Sequence, residues 1–293
     1  MARFSERIGL VDTPKTLQIN NMSKELRSSL WNFLHSLYEN RNEDYWLRIS
    51  KHVAQFFRKV PVDELPYQDY ECRRWLKAYF YELQWYAVYD LIEFVVNKHQ
   101  LMTRKRRSYG PGYDDHAADK SALIKTFNYI FERELSGYRF ISGVLSPISD
   151  KAEVNEIEDA IKASEKVGLH GDREHIRTAL ELLGKKPEPD YRNAIKEAIS
   201  SVESVAKQIS GANSQGLNGA LNELSKVTEI HRGLKSGFRQ LYGYSSDESG
   251  IRHAILDETN VGFAEAKYMI VSCSAFINYL IAKADAAGLF GKE

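Results

Sequence analysis

A chain of 293 residues, 43% hydrophobic and 27% charged, has the composition of a folded, water-soluble protein with room for two domains, which excludes disordered and fibrous classes. Forty Lys and Arg against forty Asp and Glu leave no net charge, so the whole molecule does not attract polyanions, and any nucleic-acid contact must come from local patches. Cys72 and Cys273 lie far apart in apolar-periodic segments, which fits reduced core thiols better than a disulfide framework or a zinc site. A cytoplasmic location follows as the expectation, since the N-terminus lacks a secretory h-region.

The first 20 residues have no strong period and read as an ordered arm. Helical signals begin at Ser23, a cap for a segment in which Leu26, Leu30, Phe33, Leu34 and Leu37 recur at helical spacing. A second helix runs from Asp44 to Lys59 and stops before Pro61, with a turn at 63–67. The longest pattern extends from Tyr70 to about Lys98, with Leu76, Tyr79, Phe80, Leu83, Ala87, Leu91, Ile92 and Val95 on one face. Nine aromatics fall between Tyr70 and Phe94, and they admit two readings: the core of a central helix, which the helical spacing favours, or a platform for stacking bases.

Arg104, Lys105, Arg106 and Arg107 follow beside a Gly/Pro turn. This run is either an RNA contact that grips phosphates or the solvated end of a helix, favoured there by the dipole. Another helix covers about Asp119 to Glu134. Residues 138–147, β-branched and aromatic with Gly143 and Pro147, are the one place where a short strand or hairpin is expected.

Ser149 or Asp150 caps an acidic helix ending near Lys166, and Asp172 caps another through Leu183. The stretch from Gly184 to Asp190, with two prolines before a new cap, reads as a boundary between a helical domain at 1–184 and a second at 187–285. Beyond it, Tyr191, Ile195, Ala198, Val202, Val205 and Ile209 form a long amphipathic ladder ended by Gly211. Leu217, Leu221 and Leu224 mark a shorter helix, Ile230, Leu234, Phe238 and Leu241 another, and Phe263 to Lys283 the last. The expected fold is mainly α: an N-terminal helical domain with a short strand or hairpin near 138–147, then a four-helix antiparallel bundle. The uncharged run from Tyr268 to Ala282 is 15 residues long, short of the roughly 20 needed to span a bilayer, so a buried helix and no membrane contact are expected.

The loop at 243–261 carries the residue types suited to chemistry. Arg252 and His253 follow Asp247, Glu248 and Gly250. Histidine can act as acid or base near neutral pH, and arginine can bond two phosphate oxygens. Asp247 or Glu248 can orient the imidazole, as can Glu203 if its helix faces the loop; equally, either loop carboxylate can pair with Arg252 to hold the loop closed. Arg232 and Arg239, on the helix before the loop, would add phosphate contacts if their face borders it. Arg48 with His52, and Arg173, His175 and Arg177, read as polar helix surfaces. There is no glycine-rich phosphate loop, nucleophile elbow or His-x-x-x-His pair, so no metal and no cofactor are expected.

A small bundle whose last helix follows a polar loop bearing Arg and His resembles the HEPN domain of prokaryotic defence and toxin proteins. The strings Tyr191-Arg-Asn-Ala-Ile-Lys-Glu-Ala-Ile, Ser246-Asp-Glu-Ser-Gly-Ile-Arg-His-Ala254 and Ala266-Lys-Tyr-Met-Ile-Val are similar to the C-terminal part of AbiJ-type abortive-infection proteins. Phe4-Ser-Glu-Arg-Ile-Gly-Leu and Tyr138-Arg-Phe-Ile resemble the N-terminal domain found with it. The resemblance implies an antiphage toxin that cleaves RNA, such as tRNA or mRNA, without a metal. Its active site would be shared across a homodimer, with Arg252 and His253 catalytic, and a phage component or cognate defence protein as further partner. Active HEPN ribonucleases separate Arg from His by a short spacer, whereas Arg252 and His253 are adjacent. That departure leaves a second reading open, a non-catalytic module that binds RNA, a nucleotide or a protein.

Overall fold

A computed structural model describes residues 17–39, 44–103, 120–169, 171–185, 188–211, 216–246 and 261–290. The fold is mainly α with one short hairpin, as the periodicities predict. Two compact units divide the chain, Met1–Gly143 and Val144–Glu293.

The first unit contains α1 (Lys24–Tyr38), α2 (Tyr45–His52), α3 (Asp69–Glu82), α4 (Trp85–Thr103), α5 (Lys120–Arg133) and strand β1 (Arg139–Ile141). Ser23 caps α1 as expected, its hydroxyl accepting from the Leu26 amide at 3.1 Å. Helix α2 widens into a π-helical turn, Val53–Arg58, closed by Lys59 in the left-handed region at φ 57°. That turn sets the Arg58 guanidinium over the rings of Tyr79 and Trp75, at 4.8 and 5.5 Å.

The single long helix expected from Tyr70 to Lys98 is instead two, broken at Leu83 and Gln84. The cause lies elsewhere in the sequence: Arg27 of α1 donates from Nη1 to the carbonyl oxygens of Leu83 (2.8 Å), Phe80 and Tyr81 (both 3.1 Å). These are C-terminal carbonyls of α3 that would otherwise lack partners or bond onward into a continuous helix. The break also redistributes the aromatics. Only Phe80 and Tyr89 of the nine are buried, while Cys72, Leu76, Val88, Leu91, Ile92, Val95 and Val96 fill the interior. Tyr70, Tyr81 and Tyr86 are exposed, so the stripe is core in part only. The interior is completed by Trp31, stacked 5.8 Å from Trp46, and by Phe127, Phe131 and Phe140. Tyr89 donates to or accepts from the Ser136 hydroxyl at 2.7 Å, and burial pushes its phenol up to about 12. Of the arm, residues 1–16 lie outside the described residues. Gln18 pairs with the chain near Ser136, its amide donating to the Leu135 carbonyl at 2.8 Å.

Strand β1 pairs with β2 (Val144–Ser146) in the expected hairpin, whose turn residues Ser142 and Gly143 both have positive φ, 50° and 86°. The left-handed backbone at Gly143 favours glycine; a Cβ there would lie 2.7 Å from Lys120 Nζ, the mobile end of a side chain that can move aside.

The second unit continues with α6 (Lys151–Lys166), α7 (Asp172–Gly184), α8 (Tyr191–Ser210), α9 (Gly216–Val227), α10 (Arg232–Ser246) and α11 (Phe263–Ala286). Asp150 caps α6, its carboxylate accepting from the Ala152 and Glu153 amides at 2.9 and 3.1 Å. Asp172, expected as the cap of α7, is its first helical residue and fully buried, and Gly171 at φ 108° takes the cap position. Burial raises the Asp172 pKa despite the Ser164 hydroxyl beside it.

Helix α8 is the hub. It buries Ala194, Ile195, Ala198, Ile199, Val202, Val205 and Ala206 against α7, α9 and α11, and each buried Val or Ile contributes about 1.5–3 kcal/mol. Helix α11, long and apolar enough by composition to cross a membrane, packs on α6, α7 and α8 through Met269, Ile270, Cys273, Ile277 and Leu280. Because α6 and α7 share this core, the proline-bearing stretch at 184–190 lies inside the second unit, and the chain divides earlier, at Gly143. Both cysteines are free and buried, and burial raises both thiols.

Candidate nucleic-acid interface

Helix α10 places Arg232, Lys235 and Arg239 at spacings of three and four, so all three share one face. Arg232 is exposed; Lys235 and Arg239 are half-buried against α9. Lys235 Nζ donates to Ser225 Oγ at 2.8 Å, and Arg239 Nη2 donates to Asn222 Oδ1 at 2.5 Å. Both acceptors are neutral. Arg239 Nε is buried with no hydrogen-bond partner. Burial, and then the neighbouring Arg239 charge, lower the Lys235 pKa. On α9 the carboxylate of Glu223 is taken at both oxygens by Lys226, 2.7 Å away.

Helix α10 is fastened to the unit chiefly by Phe238, its one buried residue among those described, whose ring stacks 3.7 Å from Phe276 at 12°. Leu234, on the same helix, is 47% exposed. At the start of α11 the Glu265 carboxylate accepts from its own backbone amide and from the Gly262 amide, the latter at 2.9 Å, and these bonds hold that carboxyl below its usual range.

Of the residues singled out in the sequence, Arg232 and Arg239 are therefore brought to one helix face. Arg104, Lys105, Arg106, Arg107, Asp247, Glu248, Arg252 and His253 lie outside the described residues. Glu203, which could have oriented an imidazole, is bonded to Lys207 at 2.6 Å within α8. Arg48 and His52 meet through the Arg48 carbonyl, 3.0 Å from His52 Nδ1.

Sequence reasoning passed over Lys235, Asn222 and Ser225. Lys235 was reachable from its spacing to Arg232 and Arg239, but its contacts with α9 are tertiary and leave no local signal. It also left Arg173, His175 and Arg177 as unspecified surface. Each faces a carboxylate: Arg173 with Glu165 at 2.6 Å, His175 Nδ1 with Glu197 at 2.7 Å, and Arg177 with Glu181 at 3.0 Å. A cavity of about 740 Å³ opens nearby among the ends of α6, α8 and α11, lined by Glu165, Lys166, Gln208, Asp285 and Phe290. Its charges are mixed, and Glu165 is already bonded to Arg173.

Among known proteins, residues 2–163 match the family model described as AbiJ N-terminal domain 4, which is more than half of the chain. No curated protein and no solved structure matches. A match of that extent settles the lineage: the chain belongs to the AbiJ N-terminal domain 4 family, which ties it to abortive-infection defence.

Proposed function

We propose that this protein is an abortive-infection toxin whose C-terminal part, α8–α11 with the connection between α10 and α11, acts as a HEPN-type endoribonuclease that needs no metal; the loop expected at 243–261 does not begin at 243, since residues 243–246 belong to α10. The observation that carries this reading is the AbiJ N-terminal domain match over 2–163, joined to the resemblance of the C-terminal sequence to the segment that accompanies such domains. A cytoplasmic homodimer cleaving tRNA or mRNA is the form proposed, with the N-terminal domain regulating the activity or sensing a phage component or cognate defence protein.

The chemistry follows from the residue types. The ribose 2′-OH attacks the adjacent phosphorus, forming the new P–O bond as the bond to the 5′-oxygen breaks. A 2′,3′-cyclic phosphate and a free 5′-hydroxyl result. His253, with an unperturbed pKa of about 6.5, takes the 2′-OH proton or delivers one to the leaving oxygen. Arg252 stabilises the charge that builds on the non-bridging oxygens, a role worth about 3 kcal/mol for a well-placed donor. Asp247 or Glu248 orients the imidazole. Were the segment helical, adjacent residues would point about 100° apart and one chain could not supply the pair; a dyad that sets Arg252 of one protomer beside His253 of the other would supply it. Arg232 and Arg239, and Arg104 to Arg107, are proposed to hold the RNA backbone.

Incubating purified wild type, Arg252→Ala and His253→Ala with total RNA tests this. Each substitution is expected to slow cleavage at least about a hundredfold and to relieve growth inhibition on expression. Equal cleavage by all three proteins would remove the catalytic assignment. The adjacency of Arg252 and His253 favours a second reading, a non-catalytic module binding RNA, a nucleotide or a protein. RNA left intact by wild type, together with salt-dependent RNA binding, would select it.

A further inference from the structure

We propose that α9 and α10 together form a phosphate-binding subsite in which Lys235 and Arg239 supply the charge and Asn222 and Ser225 form its edge. Taking an RNA backbone phosphate as the ligand rests on the ribonuclease reading; the anion site does not.

Two cations four residues apart on one helix repel, and burial followed by this repulsion acts to lower the lysine's pKa. Such a pair is ordinarily offset by a carboxylate, yet no ion pair to either residue occurs among the described residues, and Glu223 is committed to Lys226. The groups that do meet the cations are an amide and a hydroxyl. The Asn222 side chain can also donate, through its NH₂, so it can bond an anion oxygen while still touching Arg239; the Ser225 O–H is given to the Leu221 carbonyl at 2.6 Å, which leaves its oxygen turned to Lys235.

The buried Arg239 Nε is the second, separate sign. A buried donor left without an acceptor is costly, and a missing ion is a standard explanation for one in a native structure. Phosphate matches the fork geometry of guanidinium, taking two parallel N–H bonds, with the Lys235 ammonium as a point charge alongside. Arg232, exposed one turn earlier on the same face, is placed to meet a neighbouring phosphate of a polymer.

Binding of a fluorescein-labelled 2′-O-methyl oligonucleotide to the full-length protein, followed by anisotropy across a salt series, reads the site directly. The probe lacks the nucleophile, so it survives whether or not the protein cleaves RNA. Lys235→Gln and Arg239→Gln are each expected to weaken binding about threefold to tenfold and to reduce the salt slope by about 0.7. Asn222→Asp, which supplies Arg239 with an internal carboxylate, is expected to weaken binding comparably while keeping or raising Tm; this separates loss of the site from loss of the fold. Inorganic phosphate that displaces the probe at millimolar levels would point to a small phosphate-bearing ligand, and failure to displace would point to the polymer backbone. Unchanged affinity and salt slope in all three variants would overturn the subsite. Variant-sensitive binding by a protein that leaves RNA intact would keep the subsite and discard the nuclease.

Discussion

Positive charge is used differently at two places in the second unit. Around α6, α7 and α8, Lys162, Arg173, Arg177 and Lys207 each sit within 3.0 Å of a glutamate oxygen. Between α9 and α10, Lys235 and Arg239 rest on a serine hydroxyl and an asparagine amide. In the first region the charge is neutralised within the protein and leaves little field outside. In the second it meets no carboxylate among the described residues, on a helix tied down mainly by one ring pair. A surface of balanced composition can thus still hold a patch with a defined electrostatic preference.

The largest expected effect breaks the comparison at its anchor. Phe238→Ala removes the stacked ring and should cost about 3–5 kcal/mol, read by urea denaturation. Hydrogen exchange should show α10 losing protection while α7 and α8 keep theirs. An unchanged midpoint would mean that α10 is held by its polar contacts with α9, and the contrast between regions would fail.

A smaller effect concerns the entry to α8. Burial acts to raise the Asp190 carboxyl, but its bonds with Asn193, with Lys185 and Lys196 near, outweigh this, and the net pKa is lowered. A carboxylate depressed in the folded state stabilises above its unfolded pKa of about 3.9, and the contribution disappears as pH falls through the folded value. Asp190→Ala should therefore cost about 1 kcal/mol at pH 7, and the difference from wild type should vanish in strong acid. A pH-independent difference would show that the loss is packing rather than the cap's charge.

The smallest expected effect sharpens the first region's character. The Arg177–Glu181 pair on α7 is about half exposed on both sides, so a double-mutant cycle should return about 0.3–0.5 kcal/mol, less at high salt. A much larger coupling would mean that these bridges hold the helices in place rather than merely neutralising their surface.

Local signals were legible where the responsible atoms are close in sequence. Ser23 and Asp190 cap the helices they were expected to cap, Asp150 rather than Ser149 caps α6, and Gly211 ends α8 at φ 64°. The hairpin turn and the long ladder of α8 were readable for the same reason. What escaped depends on distant partners. The interruption after α3 is imposed by Arg27, more than fifty positions away. The division at Gly143 reflects which helices share a core, whereas proline content marks only where a helix must stop. At the candidate interface, Arg232 and Arg239 were legible as charges, but the neutral oxygens facing Lys235 and Arg239 come from α9 and have no signature in the α10 sequence.

The corner at Leu83 is closed by a single nitrogen, Arg27 Nη1, which meets three carbonyl oxygens at the end of α3. Residues 69–103 cut out as a peptide would lack that clamp, and nothing in their own composition bars a continuous rod of about ten turns. The bend thus has a partner outside its own segment, supplied by α1, so the direction in which α4 leaves α3 is tied to where α1 docks.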